Sequence, residues 1–194
     1  MDRHEAIEAL ALLKRVVRQA RDDSALNNWG VIWMLHAFTN AFAFVSTDVL
    51  VWRGYGPPEI AAMWGAVVVL NVALALGLRK RSGARTFVET QMWGIWLAFI
   101  GAMPLLGLLN ALRGLERMAY APMIGVLAAF AFSMMGMLMS RAFFGAAALF
   151  VATAIAMALH PEVQYVILGV VWGAAQFAWG LALHLAGRRG AALV

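Results

Sequence analysis

Cysteine is absent from this chain of 194 residues, and charged residues are scarce. Without cysteine the protein forms no disulfide, no thiolate metal site and no cysteine nucleophile. Charged residues make up 13% of the chain, which is about half of their share in an ordinary soluble domain. Hydrophobic residues make up 63%, and the mean hydropathy is +0.78. This composition predicts an integral membrane protein.

Sequence patterns of familiar catalytic sites are missing as well. The chain contains no GxSxG, no HExxH, no phosphate-binding loop and no clustered acidic metal box. Its longest hydrophilic segment, residues 1–28, is too short for a domain that hydrolyses a nucleotide. We therefore predict no enzyme activity, no cofactor and no metal. The net charge of +5 is assigned to cytoplasmic loops, and no nucleic-acid binding is expected.

Six apolar segments are each long enough to cross a bilayer as a helix. They cover about residues 29–50, 59–78, 91–112, 120–139, 142–159 and 163–186. Glycine, proline or arginine separates most of them, whereas the break near Ser140 and Arg141 rests on a single arginine. We expect a tight turn there. The predicted fold class is all-α, with six transmembrane helices in a single bundle over residues 29–187.

Residues 1–28 are predicted to form an amphipathic helix and a linker ahead of the bundle. Between residues 3 and 21, apolar residues recur at helical spacing on one side and charged residues lie largely opposite. Such a helix lies on the cytoplasmic membrane surface, packs on the bundle or docks a cytoplasmic protein. The pattern leaves these three alternatives open.

Basic residues are distributed unevenly between the two sides of the predicted bundle. With the N-terminus inside, all lysines and arginines except Arg53, Arg113 and Arg117 fall on the inner side. This bias predicts that both termini are cytoplasmic and that residues 188–194 form a short basic tail. The preference for arginine over lysine is typical of GC-rich bacteria, which favours the inner membrane of a bacterium as the location.

Polar side chains form a line along the first span. At 100° per residue, Trp33, His36 and Asn40 fall on one face of the helix. An unpaired imidazole or amide in hydrocarbon costs several kcal/mol, so this face should meet other helices. This face is therefore the first element of a predicted polar network between helices.

The sixth span presents small and polar residues on one stripe. They are Gly169, Gly173, Gln176, Gly180 and His184. Glycines at this spacing let a neighbouring backbone approach closely, which makes the three glycines candidates for helix packing. Gln176 is expected to pair with His36 or Asn40. The resulting network either fixes the helix register or lines a ligand or proton pathway.

The third span adds Glu89, Trp93 and Trp96, which share one face. Glu89 either pairs with the basic 79–85 loop or turns inward, where desolvation would favour its protonated form. The candidate binding residues are Trp33, His36, Asn40, Glu89, Trp93, Trp96, Gln176 and His184. Haem held by His36 and His184, and copper held by the methionines at 134–139, are weaker alternatives than structural roles.

Two functions are consistent with these patterns. The first is a solute or lipid pathway, or the membrane subunit of a transport system, with a pocket between the first, third and sixth spans. It predicts that water or a ligand reaches the candidate binding residues. The second is a non-transporting regulator or assembly factor that docks a cytoplasmic partner through residues 3–21, which predicts a dry, fully paired core. Expected partners are the lipid bilayer, that cytoplasmic protein and a second copy in a homodimer.

Overall fold

The structure, a computed structural model, describes residues 28–78, 87–113, 120–138 and 140–191. These residues contain no strand and form six long helices and one short 3-10 turn over Pro161–Val163. The helices are α1 (Trp29–Trp52), α2 (Pro57–Leu78), α3 (Phe87–Arg113), α4 (Tyr120–Leu138), α5 (Ala142–Leu159) and α6 (Gln164–Ala191). All six are long and apolar enough to cross a membrane. The predicted all-α fold with six such helices is confirmed for this part of the chain.

Several helix ends differ from the predicted bounds by a few residues. Helix α2 begins at Pro57 because proline is tolerated in the first turn, where its missing N–H would have no partner in any case. Helix α3 begins at Phe87, several residues before the predicted 91, and α6 continues to Ala191. Most of the predicted basic tail at 188–194 therefore extends the last helix.

The tight turn expected near Ser140 joins α4 to α5. The backbone N–H of Phe143 donates to the Ser140 carbonyl at 3.0 Å, and that of Phe144 donates to the Arg141 carbonyl at 3.1 Å. These bonds begin α5 immediately after the turn. The predicted amphipathic helix at 3–21 and the basic connection at 79–85 lie outside the described residues.

Helices α1 and α6 share the most extensive contact, and glycine makes it possible. A Cβ atom on Gly30 would lie 2.6 Å from both the Gly180 carbonyl oxygen and the His184 backbone nitrogen. A Cβ atom on Gly180 would lie 2.8 Å from the Gly30 carbonyl oxygen. Because these are backbone atoms of rigid helices, only glycine permits so close an approach.

The same contact continues towards the beginning of α6. A Cβ atom on Gly173 would lie 2.9 Å from the Ala41 Cβ, and one on Gly169 would lie 3.1 Å from the Ala41 carbonyl oxygen. Gly169, Gly173 and Gly180 thus all lie against α1, which identifies the neighbour of the stripe seen in the sequence. The pair is antiparallel, since the start of α1 meets the later part of α6.

Aromatic rings from all six helices fill the middle of the bundle. They belong to Trp33, Phe44, Trp64, Trp96, Phe99, Phe132, Phe143, Phe150 and Trp172. The ring centroid of Trp172 lies 5.4 Å from that of Phe99 and 5.2 Å from that of Phe150. Tilted and edge-to-face aromatic pairs such as these contribute about 0.5–1.5 kcal/mol each beyond the burial of their area.

Helices α2 and α3 lie at the side of the bundle. In α2 the fully buried residues are Val67 and Ala75, whereas most of its other side chains are at least partly exposed. Apolar side chains on such a surface suit contact with lipid tails. A second copy of the chain would also fit there, and the homodimer stays a prediction.

Replacing Gly30 by alanine tests the contact between α1 and α6. The new methyl group would meet backbone atoms that cannot move aside, so we expect the free energy of unfolding to fall by about 2 kcal/mol. Gly65→Ala in α2 is the matched control, because no atom of another described helix lies within 4 Å of the position that its Cβ would take. Denaturant titration in mixed micelles measures both variants. Equal losses in the two would contradict the proposed role of Gly30.

Candidate functional site

A series of direct hydrogen bonds connects α1, α2 and α6 at buried and partly buried positions. The Thr39 hydroxyl donates to Asn71 Oδ1 at 2.5 Å, and Asn71 Nδ2 donates to Asn40 Oδ1 at 2.8 Å. Asn40 Nδ2 donates to Gln176 Oε1 at 3.1 Å, and the Trp172 indole N–H donates to the same oxygen at 2.9 Å. We call these five residues the polar seam. Of the two pairings expected for Gln176, the one with Asn40 is therefore present.

The helices position these side chains for simple geometric reasons. Trp172 and Gln176 are four residues apart on α6, so their side chains lie side by side on one face. Gly173 lies between them and lets α1 approach, which brings Asn40 within reach of Gln176. Gln176 is 7% exposed, so its carbonyl oxygen exchanges water for two protein donors. Without those donors, the buried amide would destabilise the bundle.

His36 faces α2 rather than α6. Its Nε2 lies 3.0 Å from the Asn71 backbone oxygen, which can only accept, so Nε2 carries the proton in this contact. The carbonyl has two lone pairs and can accept this bond beside its helical one. The alternative pairing of His36 with Gln176 is not formed, because Asn40 holds that position.

The residues considered for metals are not arranged to bind one. His36 is engaged through Nε2 by α2, whereas the His184 backbone lies beside Gly30 near the start of α1. Met135 is fully buried and Met137 is 66% exposed, so the methionines of α4 do not share a face. Among the described residues, no group of three or more histidine or acidic side chains could hold a metal ion.

Two of the predicted binding residues, Trp33 and Trp96, belong to the aromatic core. Their ring centroids lie 6.0 Å apart in an edge-to-face arrangement, and Trp96 also lies 5.7 Å from Phe132. Trp33 is 3% exposed. These rings occupy the space between α1, α3 and α6 in which the pathway hypothesis expects a pocket.

None of the last three predicted binding residues is among the five of the polar seam. They are Trp93, Glu89 and His184. The Trp93 ring packs on Trp29 with centroids 5.7 Å apart, and both indole N–H groups are buried without a hydrogen-bond partner among the described residues. The Glu89 side chain lies outside the described part of the chain. The His184 side chain is half-buried.

Sequence reasoning missed three members of the polar seam: Thr39, Asn71 and Trp172. Asn71 is the one amide in the otherwise apolar span of α2, and that was the signal available for it. Thr39 lies on the neighbouring side of α1 from Asn40, outside the single face that the periodicity defined. A helix that contacts two others uses two faces, which one hydrophobic stripe does not reveal.

Two grooves open on the surface of the described bundle, away from the polar seam. The first, of about 510 Å³, is apolar and lies between α3, α4 and α5, with Leu106, Val126 and Ile155 in its walls. The second, of about 410 Å³, lies where α1 ends and α6 begins, and Asp48 and Glu162 line it. Neither groove is lined by a residue of the polar seam.

Comparisons with known proteins do not suggest a function. The chain matches no protein-family model, no curated protein and no solved structure. Its six candidate membrane-spanning helices suggest a multi-pass membrane protein, and polar side chains of three of these helices pair directly with one another. The functional argument therefore rests on that geometry.

Replacing Asn71 by leucine tests the polar seam. The change leaves Asn40 Oδ1 and the Thr39 hydroxyl without their partners on α2, so we expect a loss of about 1–2 kcal/mol in the free energy of unfolding. Ser133→Ala is the control, because the Ser133 hydroxyl donates only within its own helix, to Ala129.

A double-mutant cycle of Asn71→Leu with Thr39→Val isolates their shared hydrogen bond. Its coupling energy should be about 0.5–1.5 kcal/mol. Additive effects in the same detergent titration would show that the two side chains do not stabilise each other.

Proposed function

We propose that this protein is a non-transporting membrane regulator or assembly factor that binds a cytoplasmic partner through residues 3–21. The observation that supports this most is the direct pairing of Asn40 with both Asn71 and Gln176. Groups that guide a solute must be open to water or ligand in at least one state. Here the amides satisfy one another, which suits a bundle of fixed shape.

The aromatic core supports the same proposal. Trp33, Trp96 and Trp172 pack edge to face between α1, α3 and α6. Opening a passage there would separate large rings whose contacts stabilise all the helices that they join. A solute or lipid pathway through this part of the bundle would therefore require extensive repacking.

The placement of acidic side chains is a further argument against an ion-driven transporter. In the described helices Asp48 lies towards the end of α1 and Glu59 in the first turn of α2. Glu162 lies in the 3-10 turn before α6. Ion-coupled transporters often keep a carboxylate at membrane depth. Here the acidic groups are near the helix ends.

The start of α1 suits a bundle that anchors a separate N-terminal segment. Asn28 has φ 58°, a left-handed conformation that asparagine accepts more readily than most residues. Its Nδ2 donates to the Leu78 carbonyl oxygen at 3.0 Å, which ties the start of α1 to the end of α2. We place this end in the cytoplasm of a bacterium, at the inner membrane, because the basic residues concentrate on this side.

Cysteine labelling distinguishes a closed core from a pathway, and the natural chain has no cysteine to interfere. We expect Thr39→Cys and Asn40→Cys to resist a hydrophilic maleimide in open membrane fragments, where the reagent reaches both faces, since reaction requires water around the thiolate. Ser140→Cys, in the exposed turn, is the positive control, and Ala43→Cys, at a fully buried position, is the negative one. Labelling of both seam positions at the rate of Ser140→Cys would favour a pathway.

Photo-crosslinking tests the partner. A photoreactive residue at Leu10, on the apolar side of the predicted N-terminal helix, should give a discrete protein adduct in the native cell. The same residue at Tyr55, at the opposite end of the bundle, is the control and should not give that adduct. Adducts with lipid alone at Leu10 would indicate a helix that lies on the membrane surface and would contradict the docking proposal.

A further inference from the structure

The groove between the end of α1 and the start of α6 has the chemistry of a ligand site. Its volume is about 410 Å³, and its walls include the acidic residues Asp48 and Glu162. We call it the Asp48 groove. It lies away from the polar seam and takes no part in the function proposed above. Evidence against one proposal therefore leaves the other unaffected.

The electrostatics of the Asp48 groove favour a cation. Asp48 lies near the C-terminal end of α1, where the helix dipole is negative and no basic side chain occupies the last turn. Glu162 adds a second carboxylate from the other wall, and its side chain is 66% exposed. The positive start of α6 offsets this negative helix end, so the two carboxylates decide the sign of the groove and attract positive charge.

A buried acceptor without a partner adds an independent observation. Gln164 lines the groove and is 5% exposed, and its Oε1 is buried with no hydrogen-bond partner among the described residues. Burying a carbonyl oxygen without a donor is costly, so such an atom indicates a missing donor. A ligand in the groove that carries N–H groups is one source of such a donor.

The basic groups near the groove leave its acidic character in place. His160 Nδ1 lies 3.6 Å from Glu162 Oε1, and both side chains are largely exposed. Arg53 follows α1 and is exposed, and it forms no ion pair with a carboxylate of the described chain. Asp48 therefore has no cationic partner within the part of the protein that the structure describes.

Apolar groups complete the groove at the level of the membrane surface. Val49, Trp52 and Pro161 line it beside the acidic residues. The Trp52 side chain is 85% exposed at the last residue of α1, a position typical of the aromatic belt at a membrane interface. Its ring can also attract a cation through its π face.

We propose that the Asp48 groove binds a primary ammonium group, carried by an aminophospholipid or by a soluble amine. An ammonium group donates up to three hydrogen bonds, which matches the acceptors on Asp48, Glu162 and Gln164. A bare divalent cation suits the groove less well, because it needs six or more oxygen ligands. The described residues offer no group of three histidine or acidic side chains for it.

Native mass spectrometry of the full chain tests this proposal. The protein is released from nanodiscs with equal amounts of phosphatidylethanolamine and phosphatidylcholine that carry identical acyl chains. The trimethylated nitrogen of phosphatidylcholine cannot donate a hydrogen bond, so the two lipids differ in the group at issue. We expect phosphatidylethanolamine to be retained about tenfold more, as one added charge-assisted hydrogen bond would produce.

Matched variants test whether a preference for phosphatidylethanolamine arises from the Asp48 groove. Asp48→Asn combined with Glu162→Gln should retain both lipids equally. Glu59→Gln should keep the preference, because Glu59 is exposed at the same end of the bundle and does not line the groove. If the double variant fails to fold, Glu162→Gln alone tests an exposed position and should reduce the preference. Equal effects of Glu59→Gln and the groove variants would overturn the assignment.

Ethanolamine distinguishes the two sources of the ammonium group. A rise in melting temperature with millimolar ethanolamine, absent in the double variant or in Glu162→Gln, would show that the groove takes a soluble amine. A lipid preference without that rise would show that it takes the aminophospholipid. Equal retention of the two lipids together with no effect of ethanolamine would overturn the proposal. Stabilisation by Ca²⁺ in place of both amines would overturn it as well.

Discussion

The direct backbone contact between α1 and α6 is the constraint on which the rest of the structure depends. A Cβ atom on Gly30 or Gly180 would lie 2.6 or 2.8 Å from backbone atoms of the other helix, so only glycine fits at these positions. At that separation the long side chains between the glycines must fit together. Asn40 therefore meets Gln176, and Trp172 is held among the aromatic rings.

The interior combines two kinds of contact with different consequences. Aromatic rings such as Trp96 and Phe132 fill the volume, and they tolerate small shifts because edge-to-face packing is broad in its geometry. The amides of Asn40, Asn71 and Gln176 are stricter, since a shift of one residue along either helix would leave each without a partner. The polar seam therefore selects one register, and this specificity is the basis of the proposal of a closed, non-transporting bundle.

The candidate site was predictable in part. That Asn40 and Gln176 lie on inward faces follows from helical periodicity, and their hydrogen bond is present. The same periodicity did not predict which residue His36 contacts. In the structure its Nε2 bonds to the Asn71 carbonyl oxygen of α2. Trp33 and Trp96 were expected to line a site, yet they pack against each other, because an aromatic face has the same pattern in a core as in a pocket.

Length, hydropathy and breaks in the sequence determined that the described part of the chain has six helices long and apolar enough to span a membrane, and where most of them end. These properties are local, since each helix satisfies its own backbone within one segment. Only the tertiary structure decided which polar side chains share a hydrogen bond, that aromatic rings fill the centre, and that Asp48 and Gln164 meet in one groove. Periodicity places a residue on a face of its helix, but the neighbour of that face is set by how closely the helices pack.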